Sequence, residues 1–90
     1  MSNTQKMQTW HFTFGCDHPL NHHEQPITAN SAWNARLKML DIYGQKWAGQ
    51  HSPEEWARVA EKYGPYTALP AVEVSEWEAE RIAERLGVSA

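Results

Sequence analysis

The chain has little cysteine, no long apolar run and no excess of positive charge, and each shortage excludes a class of protein. A single cysteine among 90 residues excludes an internal disulfide and indicates a reducing compartment. No apolar run approaches the ~20 residues that a membrane-spanning helix needs, and residues 1–8 lack the apolar stretch of a signal peptide. We therefore expect a soluble, cytoplasmic protein without a membrane segment.

Charge is distributed unevenly around a net value of −3. Residues 1–50 carry four basic and three acidic side chains, whereas residues 51–90 carry four basic side chains and eight glutamates. A phosphate backbone requires a basic surface, so direct binding of nucleic acid is not expected. The acidic half suits a basic protein partner, although glutamates also serve simply to solvate helices, which is the commoner role.

Aromatic side chains are abundant: five Trp, three Tyr and two Phe. A domain of this length hides only about 60–65% of its unfolded surface, and each buried aromatic removes about 150–250 Å² from water. These side chains can therefore supply most of one core in a single domain over residues 1–90. Some tryptophans are expected outside the core, because Trp is also a favoured interface anchor.

Residues 8–51 predict a β-β-α-β unit that follows a flexible arm at residues 1–7. Residues 8–14 alternate between aromatic and polar side chains, which is the period of a strand with one inward face. Residues 26–29 predict a second, short strand and residues 45–50 a third. The inward side chains of the first strand are Trp10, Phe12 and Phe14.

A helix between the second and third strands is bounded by terminal signals. Asn30 or Ser31 can cap its N-terminus, and Gly44 suits the left-handed position after its last turn. Helical spacing predicts an inward stripe formed by Trp33, Leu37, Leu40 and Tyr43, flanked by Met39 and Ile42. Three tryptophans are then expected in the core between sheet and helix, namely Trp10, Trp33 and Trp47.

Residues 52–90 predict an acidic segment of two helices, and residues 71–74 could add a short strand between them. Each helix begins with a capping-box sequence, which reads Ser52-Pro53-Glu54-Glu55 in one and Ser75-Glu76-Trp77-Glu78 in the other. The inward stripes are Trp56, Val59, Ala60 and Tyr63, then Ala79, Ile82, Ala83 and Leu86. The expected fold is α+β: a small three- or four-stranded, mostly antiparallel sheet packed by a helix, in the order β-β-α-β-α-(β)-α.

The loop over residues 16–24 holds the densest set of side chains that could bind a metal, namely Cys16, His18, His22, His23 and Glu24. Thiolate, imidazole and carboxylate are zinc ligands, and four of them can close a tetrahedral site. The spacing is not that of a zinc finger, which separates two pairs of ligands, so solvated loop histidines are the commoner explanation. The candidate zinc ligands are Cys16, His18, His22 and His23, with no other cofactor expected.

Catalytic arrangements are weakly indicated. Cys16 beside His18 could act as a nucleophile with its base, but adjacent loop residues show neither a held base nor an orienting third group. His11 and His51 could form a general acid–base pair, as in a small nuclease, yet the chain lacks a basic groove for a substrate. We therefore expect a protein that is not an enzyme.

A small basic patch gives a further alternative. It comprises Arg36, Lys38 and Lys46, which could hold a nucleotide if Trp47 or Trp10 were exposed for stacking. A protein with such a site could sequester a nucleotide messenger. The competing interpretation is that these tryptophans belong to the core.

Several short motifs in residues 10–51 resemble a group of small phage and prophage proteins, most of them of unknown function. The shared pieces are an F-T-F-G strand, a helix bearing A-R and a G-x-K-W-A-x-Q strand, which here are Phe12-Thr13-Phe14-Gly15, Ala35-Arg36 and Gly44-Gln45-Lys46-Trp47-Ala48 with Gln50. The resemblance implies a phage setting, and so the cytoplasm of a host cell. The histidine-rich loop stands where those proteins have a hairpin, and the helices after Ser52 have no counterpart.

The leading hypothesis is a phage-type protein that binds a host protein, such as a Cas or other defence protein, and thereby inhibits host defence in the manner of an anti-CRISPR. The acidic second half carries the expected interface, because Trp anchors interfaces and Glu complements a basic partner. Its candidate residues are Trp56, Glu73, Glu76, Trp77, Glu80 and Glu84.

Overall fold

The computed structural model describes residues 6–88, so that only Lys6 and Met7 of the predicted arm fall within it. Three helices and five strands follow one another along this part of the chain. They are β1 (Gln8–Thr13), β2 (His23–Ala29), α1 (Ala32–Tyr43), β3 (Gly49–His51), α2 (Pro53–Tyr63), β4 (Thr67–Ala68), β5 (Val72–Glu73) and α3 (Glu76–Leu86). The predicted α+β class and order of elements are confirmed, with β4 and β5 at the place of the optional strand.

The strands form one mixed sheet centred on β1 and β2. β1 pairs antiparallel with β2 on one side and with β3 on the other, as in the predicted three-stranded sheet. β4 and β5 are short strands that pair parallel with β2. Pro26 lies between the β2 residues that pair with β4 and those that pair with β5. Proline has no N–H to donate to a neighbouring strand. It is therefore tolerated in β2 at the gap between the pairings with β4 and β5.

β2 begins three residues before the predicted start. His23, Glu24 and Gln25 are polar and therefore read as loop, yet Glu24 and Gln25 pair with β1 and are buried. β2 has neighbours on both sides, so these residues are covered regardless of their polarity. β3 begins later than predicted: it spans Gly49–His51, and residues 45–48 form the connection that leads into it.

One face of the sheet carries the core. The alternation predicted for β1 is confirmed, because Trp10, Phe12 and Phe14 are all buried. α1 packs against β2, and α3 packs against α1. The remaining core residues are Ile27, Ala29, Ala35, Leu37, Met39, Val74, Ala79, Ile82 and Ala83. The stripe predicted for α3 is therefore correct except at its last position, Leu86, which is exposed.

The stripe predicted for α1 is wrong in part. Its buried residues are Ala35, Leu37 and Met39, whereas Trp33 is 37% exposed. Ala35 and Met39 lie one turn apart on one side, and Leu37 lies about 200° around the helix from Ala35. α1 is thus covered on two sides, by the sheet and by α3, which a single amphipathic stripe does not anticipate. The expected core position of Trp33 is the main error.

The other two tryptophans of the predicted core are inside. Trp10 is buried. Trp47 is partly buried, and its ring lies perpendicular to the Phe12 ring with 5.2 Å between the two ring centroids. α2 differs from α1 and α3 because it contains no buried residue and contacts β1 and β3. Tyr63, predicted to point inward, is 64% exposed.

Serine caps begin all three helices, as their local sequences predict. The Ser31 side chain accepts a hydrogen bond from the Asn34 N–H, which selects Ser31 over Asn30 as the cap. Ser52 and Glu55 form the complete capping box. Ser75 accepts from the Glu78 N–H, but the Glu78 carboxylate pairs with Lys38 on α1 and is drawn away from the cap. Within residues 6–88, no helix has the length and apolarity needed to cross a membrane.

Candidate functional site

Several of the predicted site residues lie on an exposed face of α3. We call this face the outer face of α3 and define it as Trp77, Glu80, Arg81 and Glu84, all of which are exposed. The inner face of α3 is buried against α1, and Trp77 lies about 160° around the helix from Ala79. The packing of α3 therefore turns Trp77 outward, where 67% of it is exposed.

The charges around Trp77 are mostly negative and mostly unpaired. Glu76 accepts a hydrogen bond from Asn30 Nδ2 at 3.4 Å. Three further glutamates are exposed and form no ion pair within the described part of the chain, namely Glu73, Glu80 and Glu84. Glu80 and Glu84 thus follow Trp77 along one face of α3, at i+3 and i+7, while Glu76 stands at the start of the helix and Glu73 in β5 before it.

Arg81 is the one cation on this face, and its guanidinium carbon lies 5.2 Å from the centroid of the Trp77 ring. Arg81 is not among the residues predicted from the sequence, although its spacing of i, i+4 from Trp77 places it on the same helical face. The arginine shields one side of the indole and leaves the rest to solvent.

Trp56 does not share this surface. Its ring stacks on His11 at 4.6 Å with an angle of 4° between the ring planes, and it also lies against His51 and Tyr66. His11 is on the face of β1 opposite to Trp10 and Phe12. Trp56 and Trp77 are therefore on opposite sides of the sheet, and Trp56 is the side chain through which α2 packs on it.

The two histidines considered as an acid–base pair are neighbours across β1 and β3. His11 and His51 are register partners. His11 Nδ1 lies 2.9 Å from Glu24 Oε1, and His51 Nδ1 lies 3.9 Å from Glu55 Oε1. The sequence places Glu24 among the loop ligands and does not predict its contact with His11, because that contact depends on the register between β1 and β2. Trp56 covers one face of His11, which makes this pair part of the packing beneath α2.

The predicted zinc ligands do not converge. Within residues 6–88, no three side chains of the His, Cys, Asp and Glu types come together as a metal site. His18 Nδ1 accepts a hydrogen bond from the Leu20 N–H at 3.0 Å. The neutral ring then carries its proton on Nε2, and neither nitrogen offers a free lone pair to zinc. Cys16 and His22 are exposed.

The loop is instead ordered by its own hydrogen bonds. The His18 N–H donates to the Gly15 carbonyl and the Asn21 N–H to the His18 carbonyl, which closes two successive turns. Asn21 Nδ2 also donates to the Cys16 carbonyl. His23 belongs to β2, and its Nδ1 is buried with no hydrogen-bond partner among the described residues. The pairing of His18 with Leu20 also leaves Nδ1 unable to accept the proton of the Cys16 thiol.

This loop forms one wall of an open groove, which we call the loop groove. Its volume is about 670 Å³, and its walls are residues 15–19 and residues 45–48. The groove contains Cys16, His18, Lys46 and Trp47. Of the predicted basic patch, Lys38 is engaged with Glu78 at 2.6 Å and is not part of the groove wall. The guanidinium carbon of Arg36 lies over the Trp47 ring, 5.0 Å from its centroid.

No protein-family model matches the chain, and neither curated proteins nor solved structures match it with significance.

Proposed function

We propose that this protein acts without catalysis, by binding a protein partner through the outer face of α3. The observation that carries the proposal is Trp77, which is 67% exposed on a helix whose opposite face is well packed. An exposed indole beside unpaired carboxylates contributes nothing evident to folding. The same combination supplies both the apolar anchor and the charge of a protein interface.

The energetics favour Trp77 as the anchor. A Trp side chain that becomes buried removes about 150–250 Å² from water. At about 25 cal/mol per Å², the exposed two thirds of it corresponds to roughly 2–4 kcal/mol, the range of an interface hot spot. Because the backbone of Trp77 is fixed within α3 before binding, little conformational entropy is lost on association.

The charge pattern defines the partner. Glu80 and Glu84 share the helical face of Trp77, and both are exposed and form no ion pair within residues 6–88. The complementary surface is therefore basic and contains an apolar recess for the indole. Such exposed charges accelerate encounter more than they hold the complex, and salt screens them. Association is therefore expected to slow as ionic strength rises.

The biological setting that we propose is a phage infecting a bacterium, with a host defence protein, such as a Cas protein, as the partner. Support for this setting comes from the resemblance of Phe12-Thr13-Phe14-Gly15 and Gly44-Gln45-Lys46-Trp47-Ala48 to small phage proteins. Many proteins that act on nucleic acid carry basic surfaces, which an acidic inhibitor complements.

The interface is tested by comparing capture of partners from host lysate by the natural protein and by variants. Trp77→Ala is expected to reduce recovery of the specific partner at least tenfold, since loss of the anchor costs about 2 kcal/mol. The double variant Glu76→Lys with Glu80→Lys is expected to reduce recovery as well, because it replaces attraction to a basic partner by repulsion and slows association. The purified partner then gives dissociation constants for the same variants.

Matched controls lie on α2. Tyr63 is 64% exposed and has the Lys62 ammonium over its ring at 5.4 Å, much as Trp77 has Arg81. Tyr63→Ala and Glu61→Lys should therefore leave recovery unchanged. If no partner is recovered, or if the α3 and α2 variants behave alike, the proposed interface is wrong.

The defence setting is tested separately in cells. Bacteria with an active CRISPR–Cas system are challenged with a targeted phage while they express the natural protein or Trp77→Ala. Restored plaque formation with the natural protein alone supports inhibition of that defence. Binding to a protein with no defence role would retain the interface and refute the setting.

A further inference from the structure

The loop groove has walls that are fixed before any ligand enters. The wall formed by residues 15–19 is held by its successive turns. The opposite wall is held at both ends, because the Lys46 N–H donates to the Tyr43 carbonyl and the Ala48 N–H donates to the Thr13 carbonyl. A groove of about 670 Å³ also falls within the ~300–1,000 Å³ that small-molecule sites occupy.

Trp47 is a partly buried residue of the groove wall. Its Nε1–H donates to the Gly44 carbonyl at 2.9 Å, its ring lies perpendicular to the Phe12 ring, and the Arg36 guanidinium lies over one face. Arg36 itself is not part of the groove wall. A ring held in this way can stack on a planar ligand without losing rotamer freedom.

The polar groups of the groove favour an anion beside that ring. His18 is fixed by the hydrogen bond at Nδ1 and by its contact with Phe14 at 4.7 Å, so its Nε2–H is a donor with a fixed position. Lys46 adds a positive charge on the opposite wall. Asp17 is the only acidic side chain of the groove, and it can accept hydrogen bonds from hydroxyl groups while repelling a phosphate from its own position.

We propose that the loop groove binds a free nucleotide. The base stacks on Trp47, the phosphate lies between Lys46 Nζ and His18 Nε2–H, and the ribose hydroxyls lie toward Asp17. This site is distinct from the outer face of α3 and does not depend on it. A free nucleotide fits better than a nucleic-acid strand, because the net charge of −3 opposes a polyanion, and Lys46 is the only lysine or arginine in the groove wall among residues 6–88.

The test uses the full chain labelled with ¹⁵N, in which the indole N–H of Trp47 gives its own signal. Titration with AMP is expected to shift this signal and that of the His18 backbone. Adenosine, which lacks the phosphate, and inorganic phosphate alone should each bind at least tenfold more weakly than AMP, because each makes only one of the two contacts.

Substitutions on exposed lysines separate the groove from general charge effects. Lys46→Ala should weaken AMP binding by about tenfold, while Lys62→Ala, on α2, should not change it. Absence of any shift with millimolar AMP would overturn the proposal, as would equal binding by the two variants. Tighter binding of a single-stranded oligonucleotide than of AMP would overturn the assignment to a free nucleotide.

Discussion

Gln25 links three parts of the chain through one buried side chain. It is 3% exposed, and the hydrogen bonds of its amide are all made to other groups of the protein. Nε2 donates to the Pro70 carbonyl at 2.8 Å and to the Pro26 carbonyl, while Oε1 accepts from the Tyr43 hydroxyl at 2.8 Å. Gln25 thus joins β2 to the end of α1 and to the connector between β4 and β5, and fills the gap that Pro26 leaves in the ladder.

Tyr43→Phe tests this link, since it removes the hydroxyl and leaves Gln25 Oε1 buried without a donor. The free energy of unfolding near pH 7 should fall by about 1–3 kcal/mol in urea titrations.

Burial raises the pKa of Tyr43 above its ordinary 10.0. The neutral form therefore favours the fold: its contribution is complete below 10.0 and declines as pH rises beyond it. The phenylalanine variant should lose less stability between pH 7 and the alkaline range; an equal loss would show that Tyr43 does not titrate with unfolding.

His11 and Glu24 show what residue-level reasoning missed. The sequence marks His11 as an acid–base candidate and Glu24 as a loop ligand. Their contact of 2.9 Å depends on β1 and β2 pairing with Thr13 opposite Glu24. A register is set by the packing of whole strands, so no local feature of either residue could reveal the pair.

At the scale of elements, α2 is the least firmly attached helix. Its capping box is a local feature, which the sequence predicts. Its predicted inward stripe is half-buried at Trp56, Val59 and Ala60 but wrong at Tyr63, which points to solvent. The helix covers the polar face of the sheet, where Trp56 on His11 supplies the main aromatic contact.

Trp56→Ala should therefore loosen α2 selectively. Loss of a partly buried indole is expected to lower the local opening free energy by about 1–3 kcal/mol. Amide hydrogen exchange should accelerate across Pro53–Tyr63, while amides of β1 and β2 change less. Tyr63→Ala, which removes an exposed ring from the same helix, should stay within about 0.5 kcal/mol. Uniform acceleration across the sheet as well would mean that α2 unfolds only with the whole protein.

At the scale of the whole molecule, α3 is joined to α1 by charge as well as by core packing. Lys38 Nζ lies 2.6 Å from Glu78 Oε2, and Arg85 pairs with Asp41. Both bridges connect residues about forty positions apart in the sequence. They reinforce the core packing that turns Trp77 outward.

A double-mutant cycle on Lys38→Ala and Glu78→Ala measures this connection. The pair is partly exposed, so we expect a coupling energy of about 0.5–1 kcal/mol in unfolding experiments, smaller at high salt. A cycle on Lys62→Ala and Glu61→Ala, which are not paired in the structure, should give no coupling. Additive effects in the first cycle would mean that apolar packing alone positions α3.

Patterns within single segments predict the α+β class, the order of elements, the serine caps and the inward face of β1. These features depend on side-chain periodicity and on hydrogen bonds between residues three apart, which are local. Packing between elements instead covers α1 on two sides, leaves Trp33 and Tyr63 facing solvent and forms the loop groove. Each depends on which elements meet, and burial at such contacts is set by geometry across the chain rather than by the pattern within one segment.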